Sequence, residues 1–487
     1  MEIHQNLSED LRDRSRSLND VAINPRSKYI LCWLQQTLRA FDNPVIDAAI
    51  ELGNKLGLPV VIYHGIRQDY PHASDRLHTF LLGGSRDLQI GCEERGLRCV
   101  TYLETSEYVE KGLVYRLANN AAIVLVEDQP TFVARWQSKA FSSKVNRRVM
   151  AVDAARLVPT RILENGLTTT PAFRAANKSR RATYAGVQRD FSSAYPPYAG
   201  SLDFKAIDLK LATDSELAAM IARCDIDHSL WACAEFPPKR EEAIDRMNTF
   251  IRDQLPSYKW TRNNPAKDGS GSCLSPYLHF GLLGPRELFE AVSKSDVHAA
   301  AKWKFLDEAI TWREWFHYQA FHVRDFELFD GLPKRAKDTL IAHAADERSE
   351  IFELGDLLHG RTSDSVWNAA QKQWLTTGYM HNNLRMYWGK KLIGWTRNPV
   401  DAWNTACYIN DRLSLDGRDP ATYGNMQWCF GKAKPGYIEI DVYGWVSPKS
   451  SSALMKREGV REWIEKMESL AHAEIDVPNY IVDPLKF

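Results

Sequence analysis

Between Tyr258 and Trp428 the chain gathers aromatic, amide, hydroxyl and carboxylate side chains into a few short segments. The first reads Tyr258-Lys259-Trp260-Thr261-Arg262-Asn263-Asn264-Pro265, passes through a loop at 268–273 containing Ser270 and Ser272, and ends in Leu274-Ser275-Pro276-Tyr277-Leu278-His279-Phe280-Gly281. Small hydroxyl residues leading into a helix that starts at Ser275-Pro276 put backbone N–H and O–H groups side by side, which suits an anion such as phosphate. Taken alone, a Ser-Pro pair does no more than start a helix. In the second segment Glu308 and Trp312 stand four apart and share a helix face. A carboxyl beside an indole can hold a planar heterocycle by stacking plus a hydrogen bond. The same pair is common at the wet edge of a core.

Three further segments follow. One carries Trp367 in Ser365-Val366-Trp367-Asn368-Ala369-Ala370-Gln371, and the next runs from His381 through Arg385, Met386 and Trp388 to Trp395. Trp388 and Trp395 are two helical turns apart on one face, roughly 10 Å along the axis. Periodic tryptophan on a helix usually means core packing. The last segment holds Tyr408-Ile409-Asn410-Asp411, Leu415-Asp416-Gly417-Arg418-Asp419-Pro420 and Gln427-Trp428. Such charges, if buried, must be paired or must hold a polar ligand. Asp416 and Arg385 are the expected pair beside a ligand's polar edge. No nucleophilic triad, P-loop or metal-ligand cluster is recognisable. The eight cysteines form no CxxC pair, and they read as buried thiols in a reducing compartment.

The elements that must position these residues fall into two blocks. Apolar runs at 29–33, 60–63, 99–103, 121–126 and 149–152 alternate with amphipathic stretches such as 44–56. Continuous apolar strands between helices predict a doubly wound α/β domain over 1–153, its parallel sheet covered on both faces. No GxGxxG follows the first strand, so a dinucleotide fingerprint is missing. Residues 154–211 are rich in proline and hydroxyl residues and carry the basic run Arg174, Lys178, Arg180, Arg181 and Arg189. They read as an interdomain linker, its charges solvated in the plainest interpretation. From 212 to 487 the pattern is helical nearly throughout, with helices expected at 240–254, 285–293, 301–323, 334–346, 365–377, 381–396 and 399–409. Sixty-two basic residues balance 62 acidic ones, which argues against a protein that coats nucleic acid electrostatically but allows a local basic face. No apolar run is long enough to span a membrane, and the first residues lack signal-peptide order, so a cytoplasmic protein is expected.

Taken together and in this order, RNNP…LSPYLHFG, WNAAQ, LRMYWGKKLIGWT and YIND…LDGRDP…W resemble the photolyase/cryptochrome superfamily, and within it the class II cyclobutane pyrimidine dimer photolyases. The resemblance is strong over roughly 255–430. It is weaker at 14–19 (RSRSLN) and 34–43 (LQQTLRAFDN). It implies an α/β antenna-type domain followed by a larger all-α FAD-binding domain, a monomer with no obligate protein partner, and UV-damaged DNA as the substrate. Tyr258, Ser270, Ser272, Leu274 and Ser275 would hold the phosphate and ribityl part of FAD, the reduced form being the active one. Arg385, Asn410 and Asp416 would line its isoalloxazine. Asn264, Glu308, Trp312, Met386 and Trp428 would form the lesion pocket, with Glu308 stabilising the charge that arrives on the dimer. Trp388, Trp367 and Trp395 match the family's electron path. The chain departs from the class II pattern at Ala421-Thr422, after 430, and at Asp128-Gln129-Pro130-Thr131-Phe132, where DFSPLR is expected; the last bears on an antenna chromophore, whose identity the sequence does not give. A cryptochrome-like blue-light photoreceptor and a (6-4) photolyase are the alternatives. The second would need a histidine beside the lesion, and His381, the nearest candidate, also reads as structural.

Overall fold

The apolar runs pair into a six-stranded sheet in the computed structural model, which describes residues 7–433, 435–478 and 481. The strands are β1 (Ser15–Ser17), β2 (Tyr29–Leu34), β3 (Val60–Ile66), β4 (Arg98–Leu103), β5 (Ala121–Glu127) and β6 (Arg148–Val152), in the order β1-β6-β5-β2-β3-β4. All neighbours are parallel except β1, which pairs antiparallel with β6. That short edge strand falls on RSRSLN and lies outside the five predicted strands, because three polar residues carry no apolar signal. β2 and β5 are buried along their whole length, as strands with helices on both faces must be. The strand order reverses at β2, leaving a crevice at the carboxyl ends of β2 and β5. A cavity of about 110 Å³ lies there, lined by Trp33, Gln36, His64, Phe132 and Arg418 among others.

Residues 154–211 are not a solvated tether. Helix α1 (Thr170–Lys178) places Arg174 against Asp307, with bonds of 2.7 and 3.1 Å to its two carboxylate oxygens. Arg181 donates to Thr311 Oγ1 at 2.6 Å, and Arg189 pairs with Asp10; both arginines are buried. These arginines pin the connection to the domains it joins, a role that basic composition alone does not reveal.

The site is built on eight helical pieces: α2 (Leu255–Thr261), α3 (Ser275–His279), α4 (Ala299–Leu306), α5 (Arg313–His322), α6 (Ser365–Thr377), α7 (Asn382–Trp395), α8 (Pro399–Leu413) and α9 (Pro420–Gln427). The single helices expected over 240–254 and 301–323 are each interrupted by a π-turn, at Phe250–Gln254 and Asp307–Trp312, and a third follows α9 at Trp428–Lys432. One inserted residue widens the turn without disturbing the apolar pattern on either side, so the 3.6-residue period runs on unbroken in the sequence. The two domains are tied by Arg76, whose guanidinium donates to the carbonyls of Trp374 (3.1 Å), Leu375 (2.5 Å) and Leu413 (2.7 Å) at the ends of α6 and α8. Within the divergent stretch at 128–132, Asp128 pairs with Arg16 at 2.7 Å and Thr131 Oγ1 donates to the carbonyl of Arg418 at 3.2 Å. Among the described residues no helix is long and apolar enough to cross a membrane.

Candidate functional site

A cavity of about 520 Å³ opens in the helical domain, and most of the predicted site residues meet on it. One half is lined by Tyr258, Ser270, Ser272 and Ser275, with Arg385 and Asp416 beyond. Leu274 is buried but not part of the lining. Gly271 allows the close approach of loop and wall: a Cβ there would lie 2.9 Å from the Tyr379 hydroxyl. Arg385 Nη2 reaches Asp416 Oδ1 at 2.7 Å and Ser414 Oγ at 3.1 Å, while its Nε donates to the carbonyl of Met380. Burial alone would raise the Asp416 carboxyl, but the Arg385 charge and the hydroxyls of Ser275 and Ser414 bring it below its ordinary value. Asn410, on α8, is buried and not among the lining residues, and its Oδ1 has no hydrogen-bond partner. An orphaned buried amide oxygen costs on the order of 1–3 kcal/mol, and a water or a ligand's N–H would satisfy it.

The other half is aromatic. Trp312, at the end of the π-turn, and Trp428, where α9 gives way to the next one, stand 5.2 Å apart at 83°, forming two walls of a corner. Met386 lines the cavity beside them. Glu308 Oε1 is ion-paired with two cations: Arg262 Nη1 at 3.1 Å from the segment after α2, and Lys304 Nζ at 2.5 Å from α4. Neither cation was among the residues expected from the sequence, although Lys304 stands one turn before Glu308, at a spacing that favours such a pair. Asn264 does not line the cavity; its Nδ2 donates to the carbonyl of Glu458 at 3.0 Å and its Oδ1 accepts from Ala266 N, while Asn263 takes the lining position. The divergent segment after 430 thus helps to shape the rim, where Lys449 also donates to Asn383 Oδ1 at 2.7 Å. His381 caps α7, its Nδ1 accepting from Asn383 N at 3.1 Å, and burial lowers its imidazole to about 4.

Away from the cavity lie the indoles. Trp388 stacks on Trp367 at 5.7 Å and 10°, and Trp367 meets Trp395 at 5.4 Å and 76°. α7 supplies the first and last, and α6 inserts the middle ring between them. Trp388 Nε1 donates to Gln371 Oε1 at 2.9 Å and Trp367 Nε1 to the carbonyl of Trp388 at 3.2 Å. A fourth indole, Trp374, abuts Trp388 at 5.2 Å and lies under the Arg385 guanidinium. Its spacing of seven from Trp367 was the available signal.

Known proteins resemble this chain in sequence and fold. The DNA photolyase family model matches residues 30–193. A deoxyribodipyrimidine photo-lyase of Methanothermobacter thermautotrophicus is 28% identical over 94% of this chain and 98% of its own length. The enzyme of that name from Potorous tridactylus is 26% identical over 92% of this chain and 83% of its own. Among solved structures, a bacterial class III photolyase from Agrobacterium tumefaciens superposes with a TM-score of 0.63 at 19% identity, covering 92% of this chain and 88% of that one. A Synechocystis cryptochrome superposes with a TM-score of 0.66 at 16% identity, covering 92% and 90%. In its fold, and in sequence over nearly its whole length, the chain is similar to the photolyase/cryptochrome superfamily.

Proposed function

We propose that this chain is a light-driven DNA-repair enzyme that holds FAD in the hydroxyl-lined half of the cavity and a flipped-out cyclobutane pyrimidine dimer in the aromatic half. The observation that carries this reading is the continuity of the two halves: a perpendicular tryptophan corner and a paired Arg385–Asp416 line one cavity. The residues present fit FAD. Ser270, Ser272 and Ser275 offer hydroxyls to a diphosphate, Tyr258 closes that side, and Arg385 and Asp416 offer a donor and an acceptor to the polar edge of the isoalloxazine. The Asn410 amide, with its free oxygen, can accept from a ring N–H or donate to a ring nitrogen. When bound and reduced, FAD supplies one electron to the dimer on absorbing blue or near-UV light and receives it back once the ring has split.

The dimer must leave the stack to reach the cavity, and a lesion is already poorly stacked. Trp312 and Trp428 then give its two bases apolar faces at right angles. The row Trp388, Trp367 and Trp395 offers electrons from the protein interior, since indole is among the more easily oxidised side chains. His381, the candidate for the histidine that (6-4) repair is expected to need beside the lesion, is held neutral by burial and spends its Nδ1 on capping, which favours the cyclobutane-dimer reading. The crevice beside β2 and β5, at about 110 Å³, is below the roughly 300–1,000 Å³ of usual ligand pockets. An antenna pigment is therefore not part of this proposal.

The test uses the flavin-loaded protein with two oligonucleotides, one carrying a cyclobutane dimer and one a (6-4) product. Loss of the dimer only under illumination, with the (6-4) product untouched, is the expected result. No loss of either lesion would make the photoreceptor the better account.

A further inference from the structure

The carboxylate of Glu308 faces the aromatic corner in the company of two cations, so this wall carries a net positive charge: Arg262 and Lys304 against Glu308. A carboxylate held by two cations is an acceptor and a negative charge. By itself it opposes, rather than stabilises, extra negative charge on a neighbouring ligand. Only the cations can do that, and of the two Lys304 is the more mobile. Its ammonium has three donors on a flexible stem and is ion-paired with Glu308. Arg262 is a planar fork with less freedom to follow a ligand. Lys304 lies on α4 directly before the π-turn, its side chain only about a fifth exposed. Water therefore screens it less than it would a surface lysine.

Resting on the repair reading above, we infer that Lys304 is a catalytic residue: its ammonium donates to a pyrimidine carbonyl of the bound dimer and stabilises the negative charge that resides there between arrival of the electron and ring opening. Glu308 is then the positioning residue, anchoring Lys304 at the wall until a carbonyl competes for one of its N–H groups. The step conserves everything. One electron enters the dimer from reduced FAD, two C–C bonds of the cyclobutane ring break, the electron returns, and Lys304 keeps its proton throughout. A neutral carbonyl gains little from an ammonium that it must share with a carboxylate, whereas a carbonyl bearing negative charge gains much more. Interactions of this kind change the yield of the reactive step rather than the affinity for the ground state.

The experiment compares the flavin-loaded parent with Lys304→Met, Lys304→Arg and Lys302→Met. Lys302 is one helix face away, where it bonds to the carbonyls of Ser293 and Ser295, and it controls for loss of a nearby positive charge. Two quantities are measured for each protein: the dissociation constant for dimer-containing DNA across a salt series, and the repair yield of bound DNA per flash. Lys304→Met should lower the flash yield at least about threefold while the dissociation constant changes less than about twofold and its salt slope is unchanged. Lys304→Arg should recover most of the yield, and Lys302→Met should leave it at the parent's value. A Lys304→Met protein with the parent's yield, whether or not its salt slope falls, overturns the inference; a fallen slope would make Lys304 a phosphate contact. Failure of the parent to repair any dimer would overturn the underlying repair reading, and this inference with it.

Discussion

At the scale of single residues, the proposed function divides the site into groups that bind and groups that act on charge, and substitutions should separate them. Trp428 forms one face of the corner with Trp312, so Trp428→Ala should weaken binding of dimer-containing DNA by about 1–3 kcal/mol, the worth of one stacked base. Glu308→Ala removes the anchor of both Lys304 and Arg262 and should lower the flash repair yield more than the affinity. Dissociation constants and single-flash yields on the two variants check both statements; a Glu308→Ala protein that repairs normally once bound would show that Glu308 does not position the cations of this wall. Trp388→Phe should slow photoreduction of oxidised flavin at least about tenfold, yet leave repair by chemically reduced protein largely intact. Transient absorption after a laser flash reads the first quantity and dimer loss the second. Normal photoreduction in that variant would mean that electrons reach the flavin by another route, for which the abutting Trp374 is placed.

At the scale of elements, what the sequence made legible and what it hid have the same physical origin. Five buried strands and several of the site helices were readable because burial on one face or both writes a pattern into the chain, and α6 falls on its expected span of 365–377. The paired Arg385 and Asp416 were readable because a buried charge needs a partner. Hidden were the features that leave the period intact: the π-turn bearing Glu308 and Trp312, the one that begins at Trp428, and the inward turn of Asn263 in place of Asn264. Also hidden was the clamp on the first of these turns. Asp307 is buried at its start and held in bidentate fashion by Arg174 from across the interdomain connection. Arg174→Ala strands that carboxylate and should cost about 1–2 kcal/mol, discounted from the range for fully buried pairs because Arg174 is partly exposed. Denaturant unfolding measures the cost. The variant should also lose affinity for dimer-containing DNA, because the turn that aims Trp312 is no longer held.

At the scale of the whole molecule, pH should act through buried groups. Glu327 accepts from the N–H of Phe132 at 2.8 Å across the domain junction, and burial pushes its carboxyl up to about 7 from 4.5. Between those values the folded state keeps a proton that the unfolded chain has released. Its contribution is therefore whole below about 4.5 and lost as pH rises through 7. Glu327→Gln should raise the melting temperature by about 1–3 °C at pH 8 and by nothing at pH 4. His64, His78 and His381 run the other way, since burial lowers each to about 4 and their neutral form is favoured in the fold. Their contribution is present above 6.5 and lost as pH falls toward 4, worth up to about 3 kcal/mol apiece. Melting curves across pH 4–8 for parent and variant test both signs. The three carbonyls gripped by Arg76 have a further consequence. They close the ends of the helices that carry Trp367 and Asn410, so the sheet domain serves as scaffolding for the reaction centre whether or not it gathers light. A lineage could discard a pigment from such a domain at no cost to repair. Without the domain, the C-terminal ends of those two helices would lose the guanidinium that holds them.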